Sequence, residues 1–503
     1  MATISLTSRP HVLVALGAML PSLLGNRSGI GISWDSTDYM AVGLSMANRQ
    51  GALDVTGAPM VIRPPGLSVF VTIGDWLTLS PDWSLRIVNA VSMFIIVWCT
   101  HHLLIRAGVR RVSRWLGVGL VAASPALLDI FTMAWSEPPF IALVMLALII
   151  ATRERTWPWD LLLAAVFTAL FFIRYVGPFY SLAIAVVAGL VQIRASGFLL
   201  AGLRAGTSLA VSMVAPILWL NRNKEISGYL TGYREAGGGT LLDPTRTLTG
   251  TLGSWLIARP PLSGNGGIYL NWNDFSSYMK FAGVVVWILL FVLLLGFGLQ
   301  FIRRKVPQSK ATLVLALLWV FLLYVTFSIY RFVYHEMGPL DSRMMSGVYV
   351  PLILLFVIMI DELATSRVAL RLVLAIGLII VAWHGITTVR DTVRYGEAGR
   401  HWGTKGFSEV PIHQFVKDLP KDAAVYSNYP QSLFAGTFHW PIRTQYMYQI
   451  PYELPCSRRY FVWLNQAYLM EGKPVGGSVI YEDSWGQVID LDACDTDIGR
   501  FWP

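Results

Sequence analysis

Acidic residues are scarce in this chain, and a few stand where chemistry is possible. Trp34-Asp35-Ser36-Thr37-Asp38-Tyr39 opens a helical pattern running to residue 48, with Ala41, Leu44 and Ala47 on one side. Asp35 or Ser36 reads as its N-cap, and a carboxylate there is held ionised by backbone N–H groups and the helix dipole. Asp35 is therefore either a cap alone or a poised base. Glu137, in Ser136-Glu137-Pro138, begins an apolar run and leaves the same choice between dipole complement and functional acid. Three arginines occupy comparable places: Arg63 before Pro64-Pro65-Gly66, Arg174 after Leu170-Phe171-Phe172-Ile173, and Arg343 in Asp341-Ser342-Arg343. A charge at membrane depth costs of order a few kcal/mol and is by default functional, unless it snorkels to the head groups.

The elements that must position these residues are apolar helices. Of 503 residues, 54% are hydrophobic and 14% charged, where soluble chains carry about a quarter charged. With a mean hydropathy of +0.54 and repeated apolar runs of about 20 residues, the chain reads as a polytopic membrane protein. That excludes an ordinary cytosolic enzyme. The net charge of +9 does not mark a nucleic-acid binder, because the basic residues lie between apolar runs rather than on a soluble face interleaved with aromatics. From residue 388 onward there are 11 Lys/Arg against 13 Asp/Glu, so the positive excess belongs to the membrane part.

The hydropathy pattern predicts about eleven spans, at 10–25, 86–107, 114–132, 137–152, 159–174, 177–193, 199–220, 280–302, 311–330, 344–361 and 368–387. The first run lacks a convincing cleavage site and is expected to stay as an anchor. Basic loops carrying Arg106, Arg110, Arg111 and Arg114, then Arg153 and Arg155, Arg194, Arg303 to Lys310, and Arg367 and Arg371 all fall on one side. The positive-inside rule makes that side cytoplasmic, with a cytoplasmic N-terminus. Residues 64–80 would spoil this orientation if they spanned, so they are read as a helix in the outer interface. The organisation is then a transmembrane domain, 1–387, with outer loops at 26–85 and 221–279, followed by an external α/β domain, 388–503. Strand-like runs at 424–426, 460–464 and 479–481 support the last assignment.

The order of these features resembles the membrane-embedded glycosyltransferases of the GT-C fold. That family includes protein O-mannosyltransferases, the aminoarabinose transferase acting on lipid A and, more distantly, the oligosaccharyltransferase catalytic subunit. The resemblance is carried by Asp35-Ser36-x-x-Tyr39 with Ala41 and Ala47, Arg63-Pro64-Pro65-Gly66, Ser136-Glu137-Pro138, Arg174-Tyr175-Val176-Gly177, Asp341-Ser342-Arg343, and Tyr426-Ser427-Asn428 with Pro430 and Leu433. It implies an inverting glycosyltransferase that takes a sugar from a polyprenyl-phosphate donor on the outer face of a bacterial cytoplasmic membrane. The acceptor would be a lipid, a glycan or a protein, among membrane lipids and without nucleic acid. It further implies Asp35 as catalytic carboxylate, Glu137 as a supporting acid, and Arg63, Arg174 and Arg343 as phosphate contacts, with Tyr39 and Asp38 beside the substrate. The family usually has a second acid directly after Asp35. This chain has Ser36, and Asp38 reads as lying on another side of the helix turn, so no metal ligand set is assigned and a divalent ion stays open.

Other features are read more plainly. Tyr229, Tyr233, Arg234, Gly237-Gly238-Gly239, Trp255, Trp272 and Asp274 form either a sugar-stacking lid or an interfacial aromatic belt on a flexible connector. Arg331 reads as loop structure with Tyr330, Tyr334, His335 and Glu336. Cys456 and Cys494 face an oxidising side, where a disulfide is an open choice; Cys99 is an inert core thiol. His101 and His102 lie near the cytoplasmic end of their span and are assigned no metal. Two rival functions remain: a transporter or flippase of a lipid-linked sugar, for which no inverted repeat of broken helices is visible, and an inactive scaffold.

Overall fold

The computed structural model describes residues 9–234, 237, 239–259, 272–303, 305–335, 338–420, 423–444, 459–465 and 477–491. The helices of the first part are α1 (Arg9–Gly25), α2 (Trp34–Ala47), α3 (Gly66–Trp76), α4 (Pro81–Arg106), α5 (Arg111–Ala122), α6 (Pro125–Phe131) and α7 (Glu137–Ala151). They continue as α8 (Trp157–Ile173), α9 (Gly177–Ser227), α10 (Leu242–Ile257), α11 (Ser277–Ile302), α12 (Gln308–Tyr334), α13 (Ser342–Leu363) and α14 (Arg367–Ala398). Every stretch expected to span is helical. Length and composition alone qualify six: α4, the Ala195–Ser227 part of α9, α11, α12, α13 and α14. A seventh follows if α5 and α6, bent by 41° at their break, count as one. Pro10–Gly25, Glu137–Ala151, Trp157–Ile173 and Gly177–Ile193 are shorter apolar helices, below the roughly 20 residues of an ordinary crossing. Gly197, at φ +77°, separates the two halves of α9.

The two non-spanning helices of the first loop explain why residues 64–80 need not cross. α3 buries Leu67 and Val71 and turns Val69, Phe70, Ile73 and Trp76 outward, an apolar face suited to lie in an interface. It packs on α2 at Gly43, where a Cβ would come within 2.5 Å of Val71, and Thr72 Oγ1 donates to Gly43 O at 3.0 Å. α2 starts two residues earlier than Asp35 as its cap suggests. Ser33 is the N-cap, its N–H donating to Ser36 Oγ at 3.0 Å, so Asp35 sits inside the first turn, where a carboxylate still meets the positive helix end.

α14 runs on through the boundary expected at 387/388 and ends at Ala398. Beyond it lie α15 (Lys405–Ser408), α16 (Pro411–Lys417), β1 (Ala424–Ser427), α17 (Pro430–Thr437), β2 (Ile442–Thr444), β3 (Arg459–Leu464), β4 (Ser478–Asp483) and β5 (Gly486–Asp490). The sheet order is β2-β1-β3-β5-β4, with the first three strands parallel and β5 antiparallel to β3 and β4. This unit shares one core with the first loop: Ile30, Tyr39, Met40 and Val55 bury with Val425, Phe434 and Ile442. Trp402 N donates to Ile32 O at 3.1 Å and Ile442 N to Val55 O at 3.0 Å. Cys456 and Cys494 lie outside the described residues.

The second large loop contains a helix that its Thr- and Gly-rich sequence hides. α10 is clamped to α11 through glycines: a Cβ on Gly253 would fall 1.8 Å from Met279 O, and one on Gly283 1.9 Å from Thr249 O. Its Thr251 Oγ1 donates to Leu340 O at 2.8 Å and its Trp255 Nε1 to Ser342 Oγ at 3.1 Å, which fixes the entry to α13. Gly237 and Gly239 pack against Val333–His335 and the Phe332 ring. Gly253→Ala is expected to lower thermal stability in detergent by about 1–3 kcal/mol, as overpacking does. Gly298→Ala, where a Cβ meets nothing within 4 Å, should be neutral or slightly stabilising in the same scanning fluorimetry.

Candidate active site

Three carboxylates and three guanidinium groups alternate in one continuous ladder. Arg63 donates through Nη1 to Asp38 Oδ2 and through Nη2 to Asp35 Oδ1. Arg343 Nη2 takes the other Asp35 oxygen, Oδ2, while its Nε donates to Glu137 Oε1 at 3.0 Å. Arg174 Nη1 closes the series on the same Glu137 oxygen and on Ser136 Oγ, the latter at 3.2 Å. Aromatic rings floor the ladder. The Arg343 guanidinium lies 4.3 Å from the Trp135 ring, and the Tyr39 hydroxyl donates to Ser136 Oγ at 3.3 Å. Glu137 is 2% exposed, and its Oε2 has no hydrogen-bond partner among the described residues. The Asp35 side chain, at 27%, is the most open of the three acids.

Local sequence explains each placement. Asp35 and Asp38, three residues apart, share one face of α2, so Asp38 is not on another side of the turn as its sequence reading had it. Arg174 meets Glu137, as Arg63 and Arg343 also meet carboxylates. The Arg63-Pro64-Pro65-Gly66 turn lies against the end of α8, where a Cβ on Gly66 would sit 2.4 Å from Phe172 O. Gly177 makes the same approach to Leu170, so the segments carrying Arg63 and Arg174 are drawn together. A short parallel bridge, Gly31 N to Thr132 O and Ala134 N to Gly31 O, each 2.8 Å, brings Trp135–Glu137 beside α2. Asp341 caps α13 by accepting from Met344 N at 2.8 Å, which sets Arg343 in the first turn. A cation there opposes the helix dipole; its two carboxylate partners offset that.

The ladder sets unequal protonation behaviour. Burial raises the Asp35 pKa, but Arg343 and Arg63 outweigh it and hold the carboxyl well below the usual range. For Asp38, burial prevails over the pull of Arg63, with Asp54 and Asp35 adding to it, and pushes the carboxyl up to about 7. Both Asp35 oxygens are engaged by cations. Among the described residues, no group of three His, Cys, Asp or Glu ligand atoms converges at this site.

Comparison with known proteins bears on the scaffold. No family model matches the sequence, and no curated protein does. Solved structures do. ArnT from Cupriavidus metallidurans, in the apo state, superposes with a TM-score of 0.50 at 13% identity, covering 96% of this chain and 98% of that one. The mycobacterial arabinofuranosyltransferase AftD gives a TM-score of 0.54 at 15% identity over 98% of this chain. This chain spans 40% of the AftD chain. The chain has the GT-C fold.

Within this GT-C domain the ladder joins Asp35, Asp38, Glu137, Arg63, Arg174 and Arg343, with Tyr39 against Ser136. Sequence reading passed over Arg234 as part of an aromatic loop. Its Nη2 donates to Ile62 O at 3.3 Å, and its buried Nε has no hydrogen bond among the described residues. Burial first, then Arg331 and Arg63, hold its pKa below the usual arginine range, so an anion between these guanidinium groups would be attracted. Asn223 is a support that sequence reading missed, and Tyr175 was quoted only within its motif: Asn223 Nδ2 donates to the Tyr175 hydroxyl at 3.0 Å, and that hydroxyl donates to Val61 O at 2.9 Å, bracing the segment before Arg63. Arg331 and Tyr334 belong to the last turn of α12 rather than to a loop.

Removing Glu137 leaves Arg174 without its carboxylate in a buried setting. Glu137→Ala is expected to cost about 3–5 kcal/mol of stability, read as a fall in the thermal midpoint of the detergent-purified protein. Glu137→Gln, which keeps a hydrogen-bonding oxygen, should cost clearly less.

Proposed function

We propose that this chain is an inverting glycosyltransferase that moves a sugar from a polyprenyl-phosphate donor to a hydroxyl-bearing or other nucleophilic lipid, glycan or protein acceptor. In this reading the site opens on the outer face of a bacterial cytoplasmic membrane. The observation that carries it is the ladder itself: one partly exposed carboxylate flanked by guanidinium groups, at the junction of an interfacial helix with the spanning helices. Such a junction suits a donor whose tail stays in lipid while its head meets water.

The roles follow from charge. For a hydroxyl acceptor, its oxygen attacks the anomeric carbon, the bond from that carbon to the phosphate oxygen breaks, and the electron pair leaves with the phosphate. Asp35 takes the acceptor proton, help typically worth about 10²- to 10⁴-fold. Arg63, Arg343 and Arg234 offer bidentate N–H groups to the phosphate as its charge grows. Glu137 and Arg174 act as positioning residues, holding Arg343 from behind.

This scheme contains a constraint. A carboxylate with both oxygens bound to guanidinium groups is a weak base, and the donor phosphate competes for those same N–H groups. Donor binding therefore draws Arg63 and Arg343 off Asp35 and raises its basicity when the acceptor needs it. In Asp35→Asn, transfer from a labelled polyprenyl-phosphate sugar by purified protein should fall by about 10²- to 10⁴-fold, with donor binding kept or tightened. Unchanged transfer would overturn the base assignment, and movement of the lipid-linked sugar across vesicles without transfer would favour a flippase.

Asp38 adds a pH dependence. Below about 7 it is protonated and releases one edge of Arg63 to the phosphate; above, it is ionised and holds that edge. The donor KM should rise as pH increases through about 7. Asp38→Asn should flatten that rise in steady-state assays, and an identical profile in the variant would rule Asp38 out as its source.

A further inference from the structure

Three imidazoles meet at the other end of the helical domain. His11, in the first turn of α1, stacks on His101 of α4 with ring centres 4.6 Å apart and planes within 5°. His102 stands edge-on to both, at 5.3 Å and 5.7 Å. Consecutive residues of a helix point about 100° apart, so packing α1 on α4 would by itself bring only one of the pair inward, yet both rings reach His11. One ligand nitrogen from each lies within 4.8 Å of the others. His101 Nδ1 and His102 Nε2 are buried without hydrogen-bond partners among the described residues, and His101 is 6% exposed. Trp98 and Trp115 flank the rings at 4.3 Å and 5.3 Å, and among the described residues no carboxylate pairs with these imidazoles.

We propose that His11, His101 and His102 bind a divalent d-block cation, with zinc as the natural probe. Neutral imidazole nitrogens suit such ions, whereas magnesium and calcium take oxygen ligands. Nitrogens around a tetrahedral zinc at about 2.0–2.1 Å stand roughly 3.3 Å apart, so small ring rotations close the set. Arg106, one turn further along α4, is directed away: its Nη1 donates to Thr152 Oγ1 at 3.3 Å and to Ile149 O at the end of α7. Arg114 lies within electrostatic reach of His101 and favours an anionic fourth ligand such as hydroxide or chloride. Twenty residues of α4, about 30 Å at 1.5 Å per residue, separate this point from the Asp35 end. The ion is therefore a tie between α1 and α4 and takes no part in transfer.

The test uses the full chain purified in detergent without a polyhistidine tag, stripped with chelator, reloaded with zinc and desalted. About one zinc per chain is expected by elemental analysis, with a rise in thermal midpoint that magnesium does not give. Cobalt in its place should show the intense visible absorption of a tetrahedral site. His102→Gln and, separately, His11→Gln should lose the ion and the cobalt spectrum; His11, in the first turn of α1, supplies a variant outside α4. Zinc retained equally by both variants, or no zinc retained by the parent chain, overturns the proposal.

Discussion

The two bonds of the Arg343 guanidinium, one to Asp35 and one to Glu137, are the contacts on which the arrangement of this domain turns. Residues 35, 137 and 343 come from the first loop, the start of α7 and the start of α13, and no backbone pairing joins all three. Charge does. An unpaired ion in this partly buried place would carry a desolvation penalty of several kcal/mol, so the three segments are held wherever they can satisfy one another. Because the charges alternate, loss of any inner member takes one partner from each of two neighbours.

The backbone around the ladder is shaped to let it form. Gly66 and Gly177 permit the turns that carry Arg63 and Arg174 to lie on the end of α8, and Gly31 admits the bridge that lays Trp135–Glu137 along α2. None of these positions would accept a Cβ without displacement. The far end of the bundle is tied in a different way. Asp361 accepts from Arg110 at 2.7 Å and from Lys310 at 3.0 Å, clasping α5, α12 and α13 about 27 Å along α13 from Arg343 at 1.5 Å per residue. One end is thus fixed by Arg110 at the cap of α5 and Lys310 in the first turn of α12, both on the helix-borne Asp361. The other is fixed by a ladder whose middle carboxylate is left partly open.

Much of this was legible in the sequence, and what was not has physical reasons. Apolar run length announced the six helices long enough to cross, though it expected about eleven spans, and residues 64–80 carry α3 with its apolar outer face. α10 escaped because Thr and Gly do not mark a helix until α11 is there to pack against it. β2, at three residues, is too short to stand out without its neighbours. The N-cap was displaced by two residues because Ser33 and Ser36 both suit capping chemistry. The candidate residues were all named, but not their partners: Asp35 and Arg343 are 308 positions apart, and Arg174 finds Glu137 only once α7 and α8 pack. The face shared by Asp35 and Asp38 was readable from their spacing of three, and that reading went the wrong way. That His11 lies beside His101 and His102 was not readable for the tertiary reason, since they meet only through the packing of α1 on α4.

On the proposed reading, the ladder also orders the reaction. Before the donor arrives, the guanidinium groups neutralise Asp35 and spoil it as a base, which guards against idle proton transfer to water. The donor diester, with one negative charge, contests those N–H groups. As the glycosidic bond breaks, the phosphate gains charge and Asp35 gains a proton, so the cations lose one partner and acquire a stronger one in the same step. Phosphate is held best at the moment it forms. When Asp35 gives its proton to solvent, its carboxylate becomes a competitor again at the same nitrogen atoms, and the bound phosphate is displaced by the residue that made it. A site built from paired charges thus carries its own release step, which a bare cluster of arginines would lack.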